Sequence, residues 1–99
     1  MVRDDSWTKY VGLAIRAGAV QFGIDNISSS REPVYLIVMS EATASQNLKK
    51  KVDNFIANKN SKLIKLDVDL DEYLHTTNCK VIGITNKNLA DQIYSFLKE

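Results

Sequence analysis

Residues 12–26, Gly-Leu-Ala-Ile-Arg-Ala-Gly-Ala-Val-Gln-Phe-Gly-Ile-Asp-Asn, place two glycine turns around a short apolar segment, and they decide how the whole chain is interpreted. Apolar residues recur at helical spacing around the start of this stretch, at Tyr10, Leu13, Ala14 and Ala17. They predict the buried stripe of a first helix, which Gly18 ends by adopting a left-handed conformation. Val20 and Phe22 then alternate with small or polar residues, which predicts a short, half-buried strand.

The second glycine turn, at Gly23, predicts a sharp change of direction into a second helix. Asp25 and Asn26 lie where their side chains can satisfy the free backbone N–H groups at the start of that helix. These N–H groups and the positive end of the helix dipole make the turn suitable for docking an anion such as a phosphate. The simpler interpretation is a strand–helix turn with a good cap, and the turn taken alone favours it.

Strand and helix patterns alternate along the rest of the chain. Three further strand patterns lie at residues 34–39, 63–68 and 79–84. Asp69 and Asn86 each precede a helical pattern and are suited to cap it. We expect Trp7 in the core, with an exposed contact as the alternative. The alternation predicts an α/β protein, a three-layer α/β/α sandwich with four strands in one sheet, but not the order of the strands.

The composition limits the classes of function. The 99 residues are 44% apolar and 25% charged, which predicts one soluble globular domain over residues 1–99. The sequence lacks the run of about 20 apolar residues that a membrane span requires. The polar first residues and the single cysteine, Cys79, predict a cytoplasmic protein. A net charge of only +1 argues against strong non-specific binding to nucleic acid, but it leaves room for a local basic patch.

Residues capable of catalysis are few. His75 and Cys79 form the one possible base–nucleophile pair, but a small buried thiol is the commoner role for a cysteine that opens an apolar strand. One histidine and one cysteine do not complete a zinc site. The acidic residues 67–72 lack the spacing of a calcium loop, so a solvated helix start is the better interpretation. We therefore expect no enzyme activity, no metal and no cofactor.

Basic side chains give two further candidates. Residues 49–51 are three consecutive lysines, and consecutive helical residues point in different directions, so they cannot all face one partner. The simpler interpretation is a solvated helix face, and the alternative is that Lys50 or a neighbour reaches a phosphate. Arg16, beside the Gly18 turn, is the second candidate for a phosphate contact.

Several short motifs together carry a resemblance. They are Gly12-Leu13-Ala14, Arg16-Ala17-Gly18, Gly23, and residues 36–41, 48–51 and 81–86. In this order and spacing the chain resembles the bacterial YlxQ-type proteins, in the superfamily of ribosomal proteins L-seven-Ae, L-thirty-e and S-twelve-e. The resemblance covers nearly the whole chain from Lys9 onward. It implies a mixed sheet and a single domain that binds kink-turn RNA.

The RNA-binding motif of that superfamily is only partly kept. Gly23 matches the motif glycine, Asp25 stands at its Asn position and Asn26 at its Glu position. Ser28 stands at the Thr position, whereas Ser29 replaces a lysine. Losing that lysine removes a phosphate contact, and Asp25 would repel a phosphate nearby but could accept hydrogen bonds from a guanine edge. A shorter loop, residues 75–78, also takes the place of a Gly-Lys in relatives.

Two functional hypotheses follow. The first is a cytoplasmic, monomeric RNA-binding protein that recognises ribosomal or other kinked or looped RNA and associates with the ribosome or other proteins. Its expected RNA contacts are Gly23, Asp25, Asn26, Ser28, Ser29, Glu41, Thr76, Thr77, Asn78, Arg16 and Lys50. The alternative is a protein–protein interaction module that kept the fold and lost the RNA site. The near-neutral charge, Ser29 and the short loop favour this alternative.

Overall fold

The computed structural model describes residues 7–41, 43–59, 61–67, 69–74 and 79–97, which form five helices and four strands. The helices are α1 (Trp7–Arg16), α2 (Ile24–Ser28), α3 (Gln46–Lys59), α4 (Leu70–Leu74) and α5 (Lys87–Leu97). The strands are β1 (Val20–Phe22), β2 (Leu36–Ser40), β3 (Lys62–Leu66) and β4 (Val81–Ile84). Helices and strands alternate strictly along the chain, as the sequence predicts. None of the helices described is both long and apolar enough to cross a bilayer.

The four strands form one mixed sheet in the order β1-β4-β2-β3. Strands β2 and β3 are parallel, whereas β4 runs antiparallel to both of its neighbours, β1 and β2. Every residue of β2 and β4 is buried, because both strands are central and both faces of the sheet are covered. The predicted mixed four-stranded sheet is confirmed, and the structure adds the strand order.

Two apolar clusters separate the molecule into three layers. On one face, the buried side chains of α1, α4 and α5 pack against β2, β3 and β4. On the other face, α2 and α3 pack against alternate residues of the same central strands, including Ile37 and Met39. The predicted three-layer α/β/α sandwich is therefore confirmed.

The buried stripe of α1 differs from the predicted one. Trp7, Val11 and Ala14 are buried, whereas Leu13 is 48% exposed and Ala17 is exposed. Both sets have helical spacing, so periodicity alone does not decide which set faces the sheet. The observed rotation buries Trp7, which is larger than the exposed Leu13 and Ala17 and is itself only 2% exposed. The expectation that Trp7 lies in the core is therefore confirmed.

Two helix caps are confirmed in the C-terminal half. Asp69 accepts a hydrogen bond from the Asp71 N–H at 3.1 Å, and Asn86 accepts one from the Leu89 N–H at 3.0 Å.

Strand β4 begins at Val81, two residues later than predicted. The reason is that the preceding Cys79 N–H is donated to the Asp71 side chain at 2.8 Å.

Candidate functional site

One edge of the sheet brings together segments that are distant in sequence. Strands β1 and β2 both run antiparallel to β4, so their C-terminal ends and the start of β4 meet at the same edge. Two backbone hydrogen bonds mark it: Gly23 N–H donates to the Val81 carbonyl at 3.0 Å, and Ser40 N–H to the Lys80 carbonyl at 2.8 Å. We name this region the Gly23 edge. It consists of Gly23 after β1, Ser40 and Glu41 at the end of β2, and Lys80 and Val81 at the start of β4.

Gly23 makes the turn that starts the site. Its φ of 85° and ψ of 151° fall in a region that only glycine readily occupies. A Cβ atom at this position would meet nothing within 4 Å, so the backbone angles, and not crowding, require glycine. The Gly23 carbonyl accepts the Ile27 N–H at 3.0 Å, which begins α2. The predicted sharp turn is confirmed.

The expected side-chain caps of α2 are absent, so that prediction is wrong. Gly23 itself occupies the N-cap position, without a side-chain hydrogen bond there. Asp25 and Asn26 lie in the first turn of the helix, and no described N–H group at its start donates a hydrogen bond to either side chain. The Asn26 Nδ2 atom instead donates to the Phe22 carbonyl at 2.7 Å. At the other end, Ser29 Oγ donates to the Asp25 carbonyl at 2.9 Å.

Gly83 allows α2 to lie close to the sheet. A Cβ atom on Gly83 would sit 2.9 Å from Ile27 Cγ1 and 2.9 Å from Val34 Cγ1. Side chains do not approach a Cβ so closely, so α2 packs here against a bare strand backbone. The sequence showed a glycine inside a strand but gave no sign of which element approaches it.

A groove separates α2 from α3 on the same side of the sheet. It has a volume of about 330 Å³, and its polar or aromatic lining residues are Asp25, Ser28, Lys51, Asn54, Phe55, Asn58 and Lys59. We name it the α2–α3 groove. A second cavity of about 310 Å³, under the loop after α2, shares Ser28, Phe55 and Lys59 with it. The two cavities therefore lie side by side.

The sequence-predicted site residues fall into three groups. The first group lies on the Gly23 edge or on α2 beside it, and consists of Gly23, Asp25, Asn26, Ser28, Ser29 and Glu41. The second group is set apart from it: Arg16 ends α1 near the start of β1, at the opposite edge, and Lys50 is exposed on α3 outside the groove lining. Thr76, Thr77 and Asn78 lie outside the described residues.

Within the first group, the side chains point in two directions. Asp25 and Ser28 line the α2–α3 groove, whereas Asn26 and Ser29 are exposed and form hydrogen bonds with the backbone of β1 and α2. Glu41 is separated from the Gly23 turn by two interstrand spacings, about 10 Å measured across the strands. Its carboxylate is 3.8 Å from the Lys65 Nζ atom, and both side chains are exposed.

Sequence reasoning missed two residues of this region. Lys51 lines the α2–α3 groove, whereas its neighbour Lys50 was the predicted contact. The signal existed, since Lys51 and Phe55 lie four residues apart on one side of a helix. Phe22 is 36% exposed on the edge strand β1, next to Gly23. Its alternation with polar residues suggested a more buried side chain.

The acidic residues at the start of α4 form ion pairs that the sequence did not predict. Lys80 Nζ lies 3.1 Å from Asp71 Oδ2 and 3.4 Å from Asp69 Oδ1. The hydrogen bond with Asp71, supported by the charges of both carboxylates, raises the pKa of Lys80 above its ordinary value. Among the described residues, the side chains do not gather into a metal-binding group. The ion pairs hold the start of β4 against α4.

Cys79, beside this cluster, is a buried thiol, as predicted. Its S–H group donates to the Val81 carbonyl, with a sulfur–oxygen distance of 3.7 Å. His75, its possible catalytic partner, lies outside the described residues.

Comparison with known proteins identifies the fold alone. The structure is similar to that of a protein with unknown function from Bacillus halodurans, with a TM-score of 0.83 and 19% sequence identity. The match covers 97% of this chain and 100% of the other. No protein-family model matches the sequence, and no curated protein matches it. At this identity, the similarity shows a shared architecture without assigning a function.

Proposed function

We propose that this protein binds RNA and recognises a kinked or looped segment at the Gly23 edge. One observation carries the proposal: exposed polar side chains of α2 occupy the same sheet edge as Glu41, although another strand separates them in the sheet. The resemblance to the YlxQ-type proteins supports the same edge as the RNA-binding site. It also favours a ribosomal or other kink-turn-like RNA as the partner.

The chemistry of the edge suits unpaired bases. Asp25 has a carboxylate, and the Asn26 amide oxygen has no hydrogen-bond donor among the residues described, so both can accept hydrogen bonds from base amino groups. Such donors are available in loops and kinks, where bases leave the helical stack. Phe22, half-exposed beside Gly23, adds an apolar surface for a base to stack on.

A binding role fits the remaining groups better than a catalytic one. The Cys79 thiol is buried and its S–H is donated to a backbone carbonyl, so it is a poor nucleophile. A lone reduced thiol also suits the cytoplasm, where we propose that the protein acts as a monomer.

The test is a fluorescence anisotropy titration with a kink-turn RNA and a kink-disrupted control of the same composition, at two salt concentrations. We expect the kinked RNA to bind more tightly at both concentrations, because the site reads unpaired bases as well as phosphates. Equal affinity for the two RNAs would show that the protein recognises charge alone. Binding of neither RNA would overturn the proposal.

A protein-interaction role is the second candidate, and one observation favours it. Leu13 on α1 and Phe96 on α5 are 48% and 39% exposed, and the Phe96 ring lies 5.3 Å from the Tyr10 ring. These side chains form an apolar surface on the face of the molecule opposite α2 and α3. If the titration showed no RNA binding, the protein-interaction role would be the better-supported of the two functions.

A further inference from the structure

Helix α3 carries a concentrated positive charge. Its four lysines, Lys49, Lys50, Lys51 and Lys59, and its one aspartate, Asp53, give it a formal charge of +3. The whole chain carries +1, so all the other residues together carry −2. A basic element in an otherwise slightly acidic protein attracts an anionic partner to one side of the surface.

The lysines of α3 form no ion pair with a carboxylate among the described residues. Lys65, Lys80 and Lys87 each form an ion pair, whereas none of the four on α3 does so with any described residue. Their charges are therefore available to a ligand. Only Lys51 and Lys59 line the α2–α3 groove, and they lie eight residues apart, about 12 Å along the helix axis.

Between these two lysines, the groove presents groups that suit a nucleic-acid base. Asn54 and Asn58 are one helical turn apart, and each offers an amide donor and an amide acceptor. Phe55 is half-buried between them and lines both adjoining cavities, so part of its ring faces the groove. Aromatic rings stack with any base, and amides hydrogen-bond to base edges.

The opposite wall of the groove favours one orientation of a nucleotide. Asp25 on α2 repels phosphate and accepts hydrogen bonds, whereas the lysines across the groove attract phosphate. A volume of about 330 Å³ is at the lower end of the range for ligand pockets, so it accommodates a single base with its sugar.

We propose that the α2–α3 groove binds one unstacked nucleotide of a single-stranded RNA segment. The base packs against Phe55 between the two asparagines, and the flanking phosphates contact Lys51 and Lys59. This inference rests on the proposed RNA-binding function and extends the interface from the Gly23 edge onto α3.

The experiment compares two RNAs: a kink-turn RNA with a single-stranded uridine extension, and the same RNA without it. The variants are Lys51→Gln/Lys59→Gln and a matched control, Lys49→Gln/Lys50→Gln, which removes the same charge from the same helix outside the groove. We expect the groove variant to flatten the slope of log affinity against log salt for the extended RNA by about 1.4, the value for two single-strand phosphates. The control should change the slope by less than half as much.

A third variant tests the stacking contact. Phe55→Leu keeps an apolar side chain at a half-buried position, so the fold should persist, as thermal unfolding will show. We expect it to weaken binding of the extended RNA by about 5- to 150-fold, the range for losing one stacked base, and to leave binding of the unextended RNA unchanged.

The outcomes separate this inference from the proposed function. If the wild-type protein binds both RNAs equally, or if both lysine variants flatten the slope alike, the groove is not the nucleotide site, although RNA binding stands. If the wild-type protein binds neither RNA, both proposals are overturned.

Discussion

The glycines of this chain serve different purposes. Gly23 has backbone angles that other residues avoid, and its surroundings are open. Gly12 is inside α1, where the backbone is helical and the surroundings are also open. The two positions therefore separate the effect of backbone conformation from the effect of crowding.

Substitution of Gly23 by alanine should lower the free energy of unfolding by about 1–3 kcal/mol, since alanine must adopt a strained backbone there. Gly12→Ala, the matched control, should raise it by about 0.5–1 kcal/mol, because alanine favours a helix interior. Urea denaturation of both variants measures the two changes. Equal effects would show that the Gly23 turn relaxes without strain.

Lys80 makes stability depend on alkaline pH. Its pKa is higher in the folded protein than the ordinary value of 10.5, so the ion pairs with Asp69 and Asp71 contribute fully from neutral pH up to pH 10.5. The contribution should disappear as the pH rises through the folded pKa, because the neutral amine no longer pairs with the carboxylates. The measurement is urea denaturation of wild type and Lys80→Met from neutral pH to beyond 10.5. The two stabilities should converge at the alkaline end, and a constant difference would contradict the assignment.

At the scale of elements, α2 depends on its packing. A helix of five residues is too short to form alone in water, so Ile24 and Ile27 hold it against the sheet. Gly83 sets the distance between α2 and the sheet, since its missing side chain leaves room for Ile27. The position of the candidate site therefore depends on a residue in the central strand β4.

Gly83→Ala should lower the free energy of unfolding by about 1–3 kcal/mol, because the new methyl group meets Ile27 and Val34 at 2.9 Å. Amide hydrogen exchange should also quicken in α2 while α5 keeps its protection. Gly12→Ala again serves as the control for a glycine in open space. Unchanged exchange in α2 would show that the strand, and not the helix, gives way.

The two apolar stripes of α1 provide a direct test of how the helix is rotated. Val11→Ala should lower the free energy of unfolding by at least about 1.6 kcal/mol, the value for two buried methylene-sized groups. Leu13→Ala should change it by less than about 0.5 kcal/mol, since Leu13 is largely exposed. Chemical denaturation measures both. A larger loss of unfolding free energy from Leu13→Ala than from Val11→Ala would show that the stripe predicted from the sequence, and not the observed one, faces the core.

Particular residues show what local patterns determine. The caps at Asp69 and Asn86 were predictable, because a cap is formed by residues a few positions apart. The rotation of α1 was not, because it depends on which neighbouring element packs alongside. The spacing of Lys51 and Phe55 showed that they share one side of α3, but not that α2 would form the other wall of a groove there. The caps of α2 were mispredicted because Gly23 took the N-cap position and moved both polar residues into the helix.

At the scale of the whole molecule, the distribution of charge matters more than its sum. Ser29 is exposed at the C-terminal end of α2, so a lysine there adds a cation on the helix beside the Gly23 edge with little effect on folding. If RNA binds at this edge, Ser29→Lys should raise the affinity and steepen the slope of log affinity against log salt by about 0.7–0.9. A salt series with the kink-turn RNA measures both. Identical affinities and parallel slopes would mean that RNA does not contact this end of α2.

The central position of β4 determines the order in which the sheet can assemble while the chain is being synthesised. Among the described strands, β1 pairs with β4 alone, and their paired residues, Val20 and Ile84, are far apart in the sequence. During synthesis, β2, α3 and β3 can assemble as a local unit, whereas β1 must wait until β4 has been made and inserted beside it. The Gly23 N–H meets its acceptor, the Val81 carbonyl, only at that moment. A nascent chain therefore completes the Gly23 edge only when translation has passed Val81.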